Sequence, residues 1–410
     1  MNTESRSIKT LTLVVLTSLL FSVGPITVDL SLPAMTAIQA SIGSAAVRVE
    51  LTLTAVFFGM AVSQFFFGAI ADRYGRRLPL LISMGVYALA AVSAATASNL
   101  VEFGIARLIQ AMGLGVAVVL ARSVVVDVCD ERTTARVFSI AVTATSLMTV
   151  LAPSAGGALL DLFGWRAIPV AMAVVALATA IFISVGLPET LPVVRRSSTG
   201  FTRMLSTYGT LLRNRRFAGF AFVGACAAAV QFTYNTGAPS ALIEHHGMTP
   251  SNCGLALSAI GLSMAITSQI NALLLRWYTP MRILNAAVGV SSLTSVMILV
   301  CVFTGLGGAM GLIVSLLLQI ALIGFIIANS MAGAMSSAGM HAGAASALLG
   351  VMMFVLGTLG SALVGSFHDT SGRLMGVIIA ALSLASLIVA LRSGKDAESP
   401  EHAASGADAR

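Results

Sequence analysis

The sequence predicts an all-α membrane protein: twelve transmembrane helices in two pseudo-symmetric six-helix bundles. Three observations lead there. Hydrophobic residues fill 57% of the 410 positions and charged ones only 10%, whereas a soluble domain carries about a quarter charged residues. Apolar windows of the roughly 20 residues needed to cross a hydrocarbon core of about 30 Å recur to the end of the chain. Two short patterns also return at nearly one offset. Arg73-Tyr74 comes back as Arg276-Trp277, and Leu151 to Gly157 has a looser echo in Leu356 to Ser361. A duplicated unit of this kind places its substrate between the halves, near the bilayer midplane, and works by rocking around it.

The first six spans are expected at 11–32, 49–70, 79–98, 101–122, 137–160 and 167–187. The second six are expected at 217–238, 253–273, 283–304, 308–328, 343–365 and 373–391. Arg6 and Lys9 precede the first run as they would in a signal peptide, but the run is longer than a signal core and reads as a retained helix. The longest polar break holds Pro188 and Pro192 and ends in Arg213-Asn214-Arg215-Arg216. It divides an N-terminal bundle (1–187) from a C-terminal bundle (217–392), with 188–216 as a cytoplasmic linker and 393–410 as a disordered cytoplasmic tail. Cys129, Cys226, Cys253 and Cys301 have no paired spacing, so neither a disulfide framework nor a metal site is expected.

The net charge of +7 is spread over short inter-helix segments rather than gathered into a face for nucleic acid. With the N-terminus inside, nineteen of the 23 basic residues fall on the cytoplasmic side. Arg48, Arg166 and Arg373 fall outside, and Arg107 lies within a span. That asymmetry orients a multi-pass protein of the cell inner membrane with both termini cytoplasmic. No Gly-x-x-x-x-Gly-Lys-Ser/Thr loop is present, which excludes an ATP-driven pump. The expected partners are a small-molecule substrate, protons and the lipid bilayer, for a monomer that takes energy from a proton gradient and needs no cofactor.

Few residues in the spans could carry such chemistry. Asp29 is a carboxylate within the predicted hydrophobic thickness, costly there and therefore a candidate proton carrier; the alternative is a solvated cap before Pro33. Arg107 needs a carboxylate, a backbone carbonyl or water as partner, or else reaches the outer surface along its own stem. Gln110, one turn on, shares its face. The seventh span contributes Gln231, Tyr234 and Asn235, which either line a cavity or bond neighbouring helices. Pro153, Gly156 and Gly157 disturb the fifth span in its outer half and allow close helix contact. The stretch Gly68 to Arg77, with Asp72 and three arginines between two spans, forms a charged knot at a membrane surface. Glu50 and Glu102 read as solvated helix-end charges.

Four stretches together resemble one known family. They are Asp29-Leu30-Ser31-Leu32-Pro33, Gly68 to Arg77, Arg107-Leu108-Ile109-Gln110-Ala111-Met112-Gly113, and Ala152-Pro153-Ser154-Ala155-Gly156-Gly157. In this order and placement they are similar to the major facilitator superfamily, in its twelve-helix drug:proton antiporter branch of the bicyclomycin-resistance (Bcr/CflA) type. Leu30 and Ser31 depart from the family's usual Met-Tyr, and Ala111 and Ala152 replace common glycines. The resemblance implies the major facilitator fold, with Arg107 facing the central cavity and influencing proton release. It implies a latch in which Asp72 meets the amino end of the eleventh helix, Gly68 permits their approach, and Arg76 pairs with Asp127. It also implies that the Pro153 stretch seals the outer side. The activity implied is proton-coupled export of a drug or toxic metabolite. The alternatives are a carrier of one physiological metabolite (nucleoside or amino-acid-like), a passive channel, and a polytopic intramembrane enzyme, which would need a cluster of His, Asp, Glu or Ser.

Overall fold

The computed structural model describes residues 10–43, 48–191, 201–339, 342–367 and 369–397, with backbone alone at 10, 67–74, 131–132, 135, 201–204, 342–343 and 393–397. Two members of the expected latch, Gly68 and Asp72, therefore lie outside the residues described with side chains.

The N-terminal bundle contains α1 (Thr10–Val28), a 3-10 segment (Asp29–Ala34), α2 (Met35–Ile42), α3 (Glu50–Tyr74), α4 (Arg77–Thr96), α5 (Leu100–Val128), α6 (Glu131–Phe163) and α7 (Ala167–Gly186). After α8 (Phe201–Arg213) come α9 (Arg215–Ser240), a π-turn (Ala241–His245), α10 (Pro250–Leu274), α11 (Pro280–Thr304), α12 (Gly308–Ser336), α13 (Ala342–Ser366) and α14 (Arg373–Ala397). Among the described residues, eleven helical stretches are long and apolar enough to cross a membrane; α3, 25 residues long, supplies the twelfth span.

Several helices outlast their apolar windows, because a helix can carry polar residues into water once it has left the hydrocarbon. Thus α5 runs on past Arg122 and Asp127 to Val128. The first span, expected to stop at residue 32, stays helical to Ile42 by changing to 3-10 geometry at Asp29. The expected linker holds α8, an amphipathic helix whose Tyr208 and Leu211 are buried. The expected tail begins too early, since α14 continues to Ala397. Local chemistry explains the sharp starts: Thr249-Pro250 and Thr279-Pro280 each pair an N-cap side chain with proline at the first helical position. Asn99 and Glu102 close a reciprocal cap on α5.

The two bundles repeat one packing scheme. The pairs α1–α6, α3–α5, α4–α5 and α4–α7 have counterparts in α9–α13, α10–α12, α11–α12 and α11–α14. Between the bundles the main pairs are α6–α10 and α3–α13, which the same twofold exchanges. An even number of spans puts α1 and α14 to begin and end on one side of the membrane, called here the termini side.

Candidate functional site

The centre of the molecule is built around the change in α1 at Asp29. Arg107 of α5, 1% exposed, donates from Nη2 to the Thr27 carbonyl at 2.5 Å and to Ser31 Oγ at 3.2 Å. Its Nη1 donates to Gln110 Oε1 at 2.8 Å and to Met172 Sδ of α7 at 3.4 Å. Thr27 Oγ1 also shares a 2.6 Å hydrogen bond with the Tyr87 hydroxyl of α4. Here a cation occupies the carbonyl of Thr27, just where the α-helix gives way to the tighter turn. Residues 27 and 31 lie on one face of the chain, and Asp29, midway between them, lies on the other. Arg107 thus holds the segment that presents Asp29, without an ion pair to Asp29 itself.

This arrangement corrects two expectations. Arg107 neither faces the central cavity nor reaches the surface; its two Nη groups are held inside the N-terminal bundle by a backbone carbonyl, side-chain oxygens and a sulfur, while its Nε is buried without a partner among the described residues. Gln110 is not in the cleft between the bundles. It is fully buried beside Arg107, with Nε2 on Met172 Sδ at 3.4 Å. The reason is shared geometry: one turn apart on α5, both residues face α1 and α7.

Asp29 instead lies in a small cavity at the seam. Gln231, Tyr234 and Asn235 of α9 line it from the opposite bundle, with Leu32, Thr149, Pro153, Leu257, Gly261, Met264 and Ile320. Its volume of about 20 Å³ is close to the room one water needs. Among the described residues the Asp29 carboxyl has no hydrogen bond or ion pair. Thr149 had no place in the expected site, although the sequence carried its signal: Pro153 lacks the N–H that would bond the carbonyl four residues earlier. That carbonyl faces Gly261 of α10.

Towards the side away from the termini, the seam is closed. Gly254 of α10 meets the Pro153 carbonyl so closely that an added Cβ would lie 2.5 Å from it, and Gly157 meets Ser251. Ser154 N and Oγ bond Ser258 Oγ at 3.2 and 2.6 Å, and Ser251 donates to Asp161. Gly156 has another role. Its missing Cβ leaves room for the Leu30 carbonyl within the same bundle. On the α3–α13 side, Phe57 stacks on Phe232 of α9 at 4.0 Å and Thr54 bonds Ser361 at 2.9 Å, and the contact runs on into the termini-side half, where Gly350 admits Gln64. Glu50 is no solvated end charge: it is 9% exposed and accepts from Ser240 Oγ of the other bundle at 2.6 Å.

Towards the termini side, α6 and α10 part. Ser139 and Val142 of α6 lie about five and three turns before Gly157 and Pro153 on the same face, and both are exposed. Gln269 and Ala272 of α10, in the same relation to Ser258 and Gly254, are exposed too. The α6–α10 seam is therefore shut on one side of the membrane and parted on the other. Asn271 is instead spent on helix packing, accepting from Asn329 Nδ2 of α12 at 2.7 Å.

At the termini-side end of the N-terminal bundle, Arg76 Nε donates to Asp127 Oδ2 at 3.0 Å. The Glu189 carboxylate, which sequence reasoning did not single out, accepts from the backbone N–H groups of Arg76 and Arg77 at 2.8 and 3.3 Å. It thereby caps α4 from the segment after α7, where an anion suits the helix dipole. Arg77 Nη2 reaches the Ser184 carbonyl at 2.7 Å. This cluster ties α4, α5 and α7 together at the turn between α3 and α4.

Two matched bundles, joined at the end away from the termini and parted between α6 and α10 at the other, around a polar seam, define a multi-pass membrane transporter. The chain belongs to the Major Facilitator Superfamily, which it matches over residues 17–365. It is 29% identical over 371 residues to the MFS-type transporter YdgK of Bacillus subtilis (strain 168), covering 90% of this chain and 92% of that one. It is 23% identical over 352 residues to the bicyclomycin resistance protein homolog of Haemophilus influenzae, covering 86% and 88%. The crystal structure of a D-xylose-proton symporter superposes with a TM-score of 0.73 at 14% identity, covering 93% of this chain and 96% of that one, a likeness of fold alone. The protein is a transporter and not an enzyme.

Proposed function

We propose that this transporter is a proton-coupled exporter of a drug or small toxic metabolite, acting as a monomer in the cell inner membrane with both termini cytoplasmic. It draws on the proton gradient and no other cofactor. The observation that carries the reading is Asp29, a carboxyl placed on the seam between the bundles, opposite Gln231, Tyr234 and Asn235. An ionised carboxylate closed into that seam without a cation is costly. The neutral acid passes through the closed state more readily. Facing out, Asp29 takes a proton; facing in, it releases that proton to the cytoplasm and the cleft accepts a substrate. Arg107 is the positioning residue, since it fixes the turn from which Asp29 projects. The name of the Haemophilus relative supports a drug as cargo, and the arginine distribution supports the orientation.

The test uses inside-out vesicles with an acid interior and a dye that reports the pH difference. Adding transported members of a compound panel should dissipate that difference with wild-type protein and not with Asp29→Asn. If Asp29→Asn moves the same compounds with the same proton flux, the assignment of the coupling site is wrong. If compounds move without any proton flux, the antiport reading is wrong.

A further inference from the structure

A groove outside the transport cleft has the form of a lipid site. It lies on the surface of the C-terminal bundle where α10 ends, between α11 and α12, and has a volume of about 460 Å³. Ala286, Val290, Leu322 and Phe325 are among the apolar residues along its length, and Tyr278 and Arg282 stand at its termini-side end. Neighbouring Leu293 and Leu318 are exposed, as side chains facing acyl chains are.

Charge sets this groove apart. The sequence contains no Asp or Glu between Glu244 and Asp369, a stretch that takes in all of α10, α11, α12 and α13. Arg276 and Arg282 are the charged residues of that stretch. The Arg282 guanidinium is exposed and has no hydrogen bond or ion pair among the described residues. It projects from the first turn of α11, whose amino end Thr279 caps, so the helix dipole adds to its positive field. Trp277 and Tyr278 are exposed beside it, 71% and 52%, as aromatic residues are at a membrane–water interface. A cation and exposed aromatic rings together at the termini-side end of an apolar trough match the profile of a phospholipid. The groove between α4 and α5 of the other bundle differs: its charged residue is Glu102, and both carboxylate oxygens cap α5.

We infer that this groove holds one anionic phospholipid of the termini-side leaflet, with its phosphate on Arg282 and an acyl chain along Ala286, Val290 and Phe325. The site is independent of the substrate and of proton coupling. The full chain is reconstituted in bilayers of equal parts phosphatidylcholine and phosphatidylglycerol, and the lipids retained after extraction are counted by native mass spectrometry. Wild-type protein should retain a phosphatidylglycerol that Arg282→Gln loses, with retention falling about fivefold. Ala286→Trp, which fills the trough without touching the charge, should lose it as well. Arg392→Gln, a charge removed elsewhere on the same side, should leave it in place. Equal retention in wild type and Arg282→Gln overturns the proposal. So does equal retention of phosphatidylcholine and phosphatidylglycerol by wild type, or a second copy of the chain in place of the lipid.

Discussion

Replacing Gly254 by alanine asks the molecule which of its two ends should be open. In the state described here, the new Cβ would lie 2.5 Å from the carbonyl oxygen of Pro153 in the other bundle. Real Cβ contacts stay beyond about 3.0 Å, so α6 and α10 must separate by at least half an ångström. Both partners are helix backbone, so no side-chain rotation relieves the clash. Overpacking of this kind costs about 1–3 kcal/mol. The cost applies only while the bundles are closed at this end and vanishes when they part. Gly254→Ala should therefore shift the population towards the state open on the side away from the termini by about 5- to 150-fold. Cys253, fully buried in the first turn of α10, is a native reporter. Its reaction with a membrane-impermeant maleimide, applied from that side and read by peptide mass, should accelerate by that factor. Gly156→Ala is the contrast, because its Cβ would meet the Leu30 carbonyl at 2.0 Å inside one bundle. It should lower thermal stability without selectively exposing Cys253. A folded Gly254→Ala protein whose Cys253 reacts no faster than wild type would refute the assignment of this contact as the closing surface.

Arg107→Lys should lower the melting temperature and abolish coupled transport, because one ammonium cannot bridge Thr27, Ser31, Gln110 and Met172 together. Each charge-assisted hydrogen bond lost costs about 1.5–3 kcal/mol, read by detergent melting and by the vesicle assay. Glu189→Gln should cost about 1 kcal/mol, as a capping anion is lost from α4. A double-mutant cycle on Arg76 and Asp127 should show a coupling above about 1 kcal/mol that largely persists in salt, since the Arg76 side chain is 8% exposed and that of Asp127 21%. Asp369, in the loop before α14, offers a pH test. Burial alone would raise its pKa. Hydrogen bonds from Leu374 N and from Ser371, with the charge of Arg373, instead hold it below the ordinary carboxylate value. A depressed value stabilises the fold above the unfolded value of about 3.9 and loses that contribution as pH falls through the folded one. The melting-temperature gap between wild type and Asp369→Asn should be constant near neutrality and close below about pH 4.

Some of this protein could be read without coordinates, for physical reasons. A spanning helix must satisfy its backbone internally and show apolar side chains to lipid for about 20 residues, so twelve spans and a midpoint break follow from periodicity and composition alone. A carboxylate in such a run, as at Asp29, marks itself by its cost. Pro153 followed by Gly156 and Gly157 likewise announces close contact and a freed carbonyl. These are local properties, and the chain states them locally.

What it could not state is which face of each helix meets which neighbour. Arg107 and Gln110 share a face, and sequence spacing showed that; that the face points into the bundle at Thr27 and Met172, away from the cleft, depends on how α5 is rotated against α1 and α7. Glu50 looked like a helix-end charge until α9 supplied Ser240 from 190 residues away. Glu189 gained its purpose only when the segment after α7 returned to the amino end of α4. The lack of any carboxylate between Glu244 and Asp369 was visible in the sequence from the start. It became an argument about lipid only when folding set Arg282 at the head of an apolar groove. Membrane insertion is decided by segment hydrophobicity, summed along the chain; a site is decided by directions between segments, and those exist only once the helices have packed.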